Sequence, residues 1–295
     1  MQAESSQERN KPEKDQAAKK VAFVLSGGAN RGALEVGVLQ VLLEHDIRPQ
    51  ILVGTSVGAL NAAFLATNPT LEGARWLEQI WRQASKKVIE RKDYIAALLR
   101  FVTRKSSLYD SNKLKELIES YFPKDMRLFS DIKAAELYIT AVDLNSGELY
   151  VFGIDRSQSI IDAIMASSAV PMVLGPWQYE GRQYVDGGVV SDLPMRVAVD
   201  AGATELYAID IGPLQLAKRT PRGVLRVAAQ TMDAVISHQL VNEYGWSSGL
   251  PKDAIHYIRV EGFEDVRLWD FEYTAKMIEK GRLIGLEHLR KFGLL

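Results

Sequence analysis

Residues 21–44 read VAFVLSGGANRGALEVGVLQVLLE. The segment Val21–Gly27 is a short apolar and β-branched run that ends in glycine, which is typical of a buried parallel strand. Arg31–Glu44 then places apolar side chains, among them Leu34 and Val38, at helical spacing. This stretch therefore predicts a strand, a tight glycine turn and a helix.

The strand–turn–helix pattern occurs again directly afterwards. Ile51–Val53 is a second apolar run, and a glycine-containing turn leads from it into the helical stretch Val57–Ala66. Strands that alternate with helices form parallel sheets covered on both faces, so the predicted fold class is three-layer α/β/α with a mostly parallel central sheet. The remaining predicted elements are a hairpin of Leu137–Leu144 and Glu148–Ile154, strands at Glu205–Ile211 and Ile255–Val260, and a helix at Thr274–Arg290.

Composition limits the class of protein. The chain has 295 residues, 47% of them hydrophobic, which is enough for a large core. No apolar run reaches the roughly 18 residues of a membrane-spanning helix. A net charge of −1 argues against nucleic acid as a partner. The absence of cysteine excludes disulfides and thiolate metal sites, and it is compatible with the cytoplasmic location that we expect.

We interpret residues 1–20 as a disordered N-terminal lead-in, because they contain no hydrophobic stretch, and residues 21–295 as a single domain. Within it, we interpret residues 86–108 as a cap or membrane-facing segment. Lys86–Lys105 carries seven basic residues and an apolar helical face. Such a helix either lies on an anionic membrane surface, in peripheral contact with the bilayer, or packs its apolar face on the core.

Ser56 lies in the second strand–helix turn, within residues 54–58, GTSVG. Flanking glycines let the backbone pass crowded positions at such a turn, and the serine hydroxyl then stands exposed at the helix N-terminus. This context predicts a nucleophile. Residues 245–249, GWSSG, have the same pattern around Ser247, but no strand precedes them and a proline follows where a helix should begin. We therefore interpret Ser247 as a loop residue.

The first turn, residues 26–32 (SGGANRG), predicts a site for a developing negative charge. Acyl transfer needs two backbone N–H groups that point at an oxyanion, and glycines at a helix N-terminus present them without obstruction. A phosphate-binding loop does not fit, because Ala33 and Leu34 stand where Lys and Ser or Thr are required. A plain tight turn is the alternative, and two such loops on consecutive units weaken it.

The third element is Tyr184–Gly188, YVDGG, in which Asp186 follows a strand-like run. An isolated D-G-G is typical of an ordinary turn. Together with the glycine loop, the Ser56 motif and the segment Ala166–Pro171 (ASSAVP), however, it resembles the patatin-like phospholipase family. The resemblance runs from about Val21 to Pro194, and the motifs occur in the family's order.

The resemblance implies a serine lipid acyl hydrolase that cleaves carboxylic esters of phospholipids or related acyl lipids. It implies a Ser56–Asp186 dyad and a covalent acyl-serine, with no histidine, metal or cofactor. The oxyanion-hole and substrate-binding residues that it implies are Gly27, Gly28, Ala29, Arg31 and Gly32. Ala29 departs from the family pattern G-G-G-x-R-G, and alanine compromises the oxyanion hole if this position needs positive φ. Arg31 lies either near an anionic head group or against its own loop.

Two alternatives use the same residues differently. A Ser-Asp-His triad of the α/β-hydrolase type is compatible with the chain order, because His238, His256 and His288 all follow Asp186. His256 falls in a predicted strand and the other two in helical stretches, which disfavours the triad. The second alternative is a non-catalytic lipid-binding protein on the same fold, and the presence of both Ser56 and Asp186 argues against it.

Overall fold

The computed structural model describes residues 19–91, 111–171, 173–212, 250–263 and 270–295, together with a few single positions between 227 and 266. Its strands form one sheet of eight strands. The strands are β1 Val21–Leu25, β2 Ile51–Thr55, β3 Glu136–Asp143, β4 Leu149–Phe152, β5 Trp177–Tyr179, β6 Arg182–Asp186, β7 Glu205–Asp210 and β8 Ile255–Arg259. The helices are α1 Gly32–Glu44, α2 Val57–Thr67, α3 Leu71–Arg91, α4 Ser111–Tyr121, α5 Ile160–Ser167, α6 Met195–Asp200 and α7 Thr274–Lys291.

The sheet is mostly parallel, as the sequence predicts. Strands β8, β7, β1, β2 and β3 pair in parallel in that order, and β4, β5 and β6 add antiparallel pairs beside β3. Alternate residues of β1 enter two different cores: Phe23 packs with α1, α2 and α7, and Ala22 packs with α6. Helices therefore cover both faces of the sheet, which confirms the three-layer α/β/α architecture.

Strands β2 and β6 share one edge of β3. Ala141 of β3 pairs with β4 on one side and with Asp186 of β6 on the other. Ile139, two residues earlier, pairs with the same β4 and with Gly54 of β2. Since a strand has only two edges, β4 occupies one of them, and β2 and β6 follow each other along the opposite one. The pairing of β2 ends at Thr140, so the last residues of β2 and β6 meet.

Helix α1 is held against α7 by direct backbone contact. A Cβ on Gly37 of α1 would lie 2.0 Å from the Ile278 carbonyl oxygen, and a Cβ on Gly281 of α7 would lie 1.9 Å from the Leu34 carbonyl oxygen. No other residue fits at such a crossing. The contact fixes α1 and thereby the loop between β1 and α1, which is the loop that the sequence predicts as an oxyanion site.

Most predicted elements are confirmed with shifts of one or two residues at their ends. The ends of β1, β2 and β4 shift by two residues. Strand β1 ends at Leu25 because the chain turns at Ser26 and forms a single 3₁₀ turn over Ala29–Arg31 before α1. Residues 1–18 of the predicted lead-in and residues 92–108 of the predicted cap lie outside the described residues. None of the described helices is long and apolar enough to cross a membrane.

Candidate active site

Ser56 occupies a strained turn between β2 and α2. Its backbone has φ 55° and ψ −122°, a conformation that costs a non-glycine residue free energy and that recurs at functional turns. The flanking glycines are needed for close backbone packing, because a Cβ on Gly54 would lie 2.3 Å from the Gly58 carbonyl oxygen, and one on Gly58 would lie 2.4 Å from the Leu25 carbonyl oxygen. The side chain is 9% exposed, at the N-terminus of α2.

Asp186 is the acidic residue beside Ser56. The Ser56 side chain, as a hydrogen-bond donor, lowers the pKa of the Asp186 carboxylate, and the Gly188 N–H donates to Asp186 Oδ1 at 2.8 Å. Asp186 is only 6% exposed, and this burial raises its pKa to about 6, against the opposing effect of the two hydrogen bonds. The weak basicity expected of an aspartate is thus partly corrected by desolvation, since a general base works best with a pKa near the working pH.

Three hydroxyl side chains hold the backbone on either side of Ser56. Ser167, at the end of α5, accepts the Ser56 N–H at 2.7 Å and is fully buried. Thr55 Oγ1 lies 2.6 Å from Thr140 Oγ1 and donates to the Ser191 carbonyl oxygen at 3.1 Å. Sequence reasoning assigned no role to these residues, although Ser167 belongs to the ASSAVP segment that supports the resemblance.

The loop between β1 and α1 lies directly against Ser56. A Cβ on Gly27 would lie 3.4 Å from Ser56 Cβ and 2.4 Å from Asp192 Oδ1, so only glycine fits there. The Gly27 N–H donates to Asp192 Oδ1 at 3.1 Å. The N–H groups of Gly28 and Ala29 donate to no acceptor within the part of the chain that the structure describes. The loop therefore offers two backbone donors beside the serine.

Ala29 adopts positive φ, at 52°, which meets the condition under which alanine was expected to matter. The Ala29 methyl group strains this conformation, but the Ala29 N–H group is still available as a donor in the loop. Arg31 is 7% exposed and its Nε donates to the Gly28 carbonyl oxygen at 3.5 Å. Of the two interpretations of Arg31, this contact matches the one in which it holds its own loop. Gly32 packs under Val57 and Trp81, where a Cβ would lie 2.4 Å and 2.8 Å from their side chains.

A buried polar network lies under the same loop. Asn61 of α2 donates to the Gly32 carbonyl oxygen at 2.9 Å and to Glu35 Oε2 at 2.7 Å, and it accepts the Trp81 indole N–H at 2.9 Å. Complete burial raises the pKa of Glu35 well above its usual range. No local sequence pattern indicates this network, because a glutamate in a helix is usually exposed.

The described histidines lie far from Ser56. His45 follows α1 at its C-terminal end, whereas the site is at the N-terminal end of that helix. His256 of β8 and His288 of α7 contact each other near the amino ends of the strands, with ring centroids 5.7 Å apart. His238 and the second G-x-S-x-G serine, Ser247, lie outside the described residues. No described histidine can reach Ser56.

The family model described as Patatin-like phospholipase matches residues 23–199, which is more than half of the chain. The chain belongs to this family. Similar patatin-like proteins include the mouse patatin-like phospholipase domain-containing protein 7, at 27% identity over 65% of this chain and 14% of that protein. The uncharacterized protein YjjU of Escherichia coli is 30% identical over 67% of this chain and 53% of its own length. The chain thus matches only part of these relatives.

A solved structure also has this fold. VipD from Legionella pneumophila superimposes with a TM-score of 0.50 over 93% of this chain and 67% of that protein, at 14% sequence identity. At this identity the match concerns the fold alone. It places the mostly parallel sheet, with helices on both faces, among known patatin-like domain structures.

Proposed function

We propose that this patatin-like protein is a serine lipid acyl hydrolase that uses Ser56 as nucleophile and Asp186 as base. One observation carries the proposal: Ser56 lies beside a buried carboxylate, that of Asp186, whose pKa is raised to about 6. The nucleophile is therefore next to a group that can take its proton, which is the arrangement that covalent catalysis requires. Membership of a phospholipase family supports the same chemistry.

The reaction has two halves. Ser56 Oγ attacks the carbonyl carbon of an ester while Asp186 takes the hydroxyl proton, and the N–H groups of Gly28 and Ala29 stabilise the oxyanion. When the intermediate collapses, the C–O bond to the alcohol breaks, and Asp186 returns the proton to the leaving alcohol. Water then attacks the acyl-serine with Asp186 again as base, which releases the fatty acid and restores Ser56.

The substrate class that we propose is the carboxylic esters of phospholipids or related acyl lipids. Some of the relatives, among them the mouse patatin-like phospholipase domain-containing protein 7, carry phospholipase in their names, which supports this class without specifying a head group or acyl chain. We also propose that residues 21–295 form one catalytic domain, and that Lys86–Lys105 assists contact with anionic membranes. The support for both is the charge and hydrophobic pattern of the sequence.

The test is hydrolysis of a panel of short-chain esters, neutral lipids and phospholipids, with the products identified by mass spectrometry. A serine-reactive fluorophosphonate should label the parent protein at Ser56. We expect Ser56→Ala to lose labelling and at least a thousandfold in turnover, because the nucleophile is gone. Ser247→Ala is the matched control and should keep both. Unchanged turnover in Ser56→Ala, or an absence of ester hydrolysis by the parent, would show the proposal to be wrong.

A further inference from the structure

A second buried acid, Asp192, lies between the oxyanion loop and the turn that carries Asp186. Asp192 is 5% exposed, and its Oδ1 accepts the Gly27 N–H at 3.1 Å. The position that a Cβ on Gly188 would take is 3.0 Å from Asp192 Oδ1 and 3.1 Å from Asp186 Oδ1. The two carboxyl groups therefore flank the same small space beside Ser56.

The groups around Asp192 determine which of the two acids carries a proton. Burial raises the pKa of Asp192 to about 7, and the negative charges of Asp210 and Asp186 add to this, whereas the Gly27 N–H and Arg31 oppose it. The pKa of Asp186 is lower, at about 6. The negative charge of Asp186 therefore favours the protonated form of Asp192.

Other charged groups near this pair are already engaged. Asp210, at the end of β7, forms an ion pair with Arg259 of β8 and accepts hydrogen bonds from the Tyr257 hydroxyl and the Gly212 N–H. Glu35, on α1, is completely buried, which raises its pKa well above its usual range. Arg31 is the cation that opposes the raised pKa of Asp192 directly.

The protonation state of Asp192 matters for the oxyanion. A neutral carboxyl group accepts the Gly27 N–H through its carbonyl oxygen and adds no charge. An ionised Asp192 carboxylate would place a second negative charge beside the oxyanion loop. The Gly28 and Ala29 N–H groups of this loop face the developing oxyanion, and like charges repel strongly in a buried site. The neutral form therefore suits acyl transfer better than the ionised form.

We propose that Asp192 is a positioning residue that acts as a neutral carboxylic acid. It fixes the oxyanion loop at Gly27 against the turn that carries Asp186, so that the Gly28 and Ala29 N–H groups point at the ester carbonyl. This inference rests on the proposed Ser56–Asp186 hydrolase. It adds a residue that touches neither the nucleophile nor the substrate and acts only through the loop.

The first test compares Asp192→Ala with Asp192→Asn on a soluble ester. The alanine variant loses the acceptor for Gly27, so we expect kcat to fall about ten- to a hundredfold while KM changes less than threefold, because a small displacement of catalytic donors has large effects on rate. The asparagine variant matches the shape of the protonated acid and keeps an oxygen acceptor. We expect it to have at least ten times the kcat of the alanine variant.

The second test is the pH dependence from pH 6 to pH 9. Asparagine cannot ionise, so the ratio of kcat in Asp192→Asn to kcat in the parent should rise above pH 7, by up to tenfold per pH unit. Asp200→Asn is the control, because it removes one exposed carboxylate whose partner is Arg196 on the same helix. The ratio of kcat in Asp200→Asn to kcat in the parent should not change with pH.

Three outcomes would overturn the inference: full kcat in Asp192→Ala, equal loss in both Asp192 variants, or a constant ratio of Asp192→Asn to the parent across the pH range. If thermal unfolding shows that Asp192→Ala does not fold, the pH comparison of Asp192→Asn with the parent decides alone. Failure of the hydrolase proposal is distinguishable, because it would appear as activity that survives Ser56→Ala.

Discussion

Two groups of buried titratable side chains lie at opposite ends of the same sheet. The carboxyl-end group, Asp186 and Asp192, lies beside Ser56 where β2 and β6 stop. The amino-end group, which we call the histidine cluster, is Glu205, His256 and His288. His256 Nε2 lies 3.1 Å from Glu205 Oε1, and its ring meets the His288 ring edge-on. Burial raises the pKa of Asp186 and Asp192 and lowers the pKa of His256 and His288. The comparison shows which further features distinguish a reaction site.

The difference lies in what surrounds the displaced groups. In the histidine cluster, aromatic rings cover the side chains: Tyr207 stacks on His256 at 4.4 Å and Phe292 on His288 at 4.5 Å. At the carboxyl end, a hydroxyl points at the acid and two backbone N–H groups have no acceptor among the described residues. A shifted pKa is therefore insufficient evidence for a reaction site; a nucleophile and donors for its product charge must accompany it.

The register of the sheet separates the two groups. His256 pairs with Tyr207, whereas Gly54 is level with Ile209 through Leu25 of β1. Ser56 therefore lies about 13 Å further along the strands than His256, at roughly 3.3 Å per residue. Three strand spacings, about 14 Å, separate them sideways. The cluster belongs to the packing between β8 and α7.

The largest expected effect concerns turnover. Asp186→Asn keeps the shape of the base and removes its basicity, so we expect kcat/KM to fall about a thousandfold or more. The double variant with Ser56→Ala should have a kcat/KM only slightly lower than that of either single variant, because the two groups act as one unit. His256→Gln and His288→Gln should retain most activity. Steady-state kinetics on one ester, with circular dichroism to verify folding, measures all five variants. A folded histidine variant as inactive as Ser56→Ala would replace the dyad with a triad.

A smaller effect concerns stability, and its sign should differ between the two ends. Burial lowers the pKa of His288 to about 4, so the unfolded chain binds a proton before the folded one, and stability falls as the pH drops from about 6.5 to 4. The raised pKa of Asp186 has the opposite effect. Its stabilising contribution to the free energy of unfolding is fully present below about pH 4 and is lost as the pH rises through about 6.

Urea unfolding of the parent, Asp186→Asn and His288→Gln from pH 4 to pH 8 checks these signs. Relative to the parent, Asp186→Asn should gain about 2 kcal/mol of unfolding free energy between pH 4 and pH 8. His288→Gln should instead gain about 1–2 kcal/mol as the pH falls from 7 to 4. The comparison between the two ends fails if both variants show the same trend with pH.

The smallest effect concerns backbone strain, which is present at the carboxyl end at Ser56 and Ala29 and absent from the three residues of the histidine cluster. Ala29→Gly relieves a methyl group at φ 52°, so we expect a gain of about 0.5–1 kcal/mol, measured as a rise in melting temperature. Glu180→Gly, at φ 50° in the turn between β5 and β6, is the matched control and should gain a similar amount. A loss of stability in Ala29→Gly alone would mean that the loop needs the methyl group for packing.

The parts of the molecule that the sequence predicts are those with local causes. A hydrophobic run followed by glycine is enough to predict β1, β2 and the turns after them, and the fold class follows from their alternation with helices. The positions of Ser56 and Asp186 at strand ends follow in the same way. Their catalytic roles come from the resemblance, since local pattern alone leaves a triad open.

The parts that the sequence does not predict depend on contacts between distant segments. Asp192 follows a serine in a turn-like segment, where an acid is normally exposed, and its burial is a consequence of the contact with Gly27. The backbone contact of Gly37 with Ile278 joins α1 to the last helix, and a lone glycine within a helix does not identify its partner. Equally, no local pattern indicates that β2 and β6 lie along the same edge of β3.

This shared edge makes the separation of nucleophile and base independent of the length of chain between them. Slipping β6 by one residue along β3 would move Asp186 by about 3.3 Å and turn its side chain to the other face of the sheet, so any such slip abolishes the site. Insertions or deletions in the loops that connect β2 to β6 leave this alignment as it is. Natural variation and protein engineering can therefore change those loops while the proposed nucleophile and base stay where two strand ends meet.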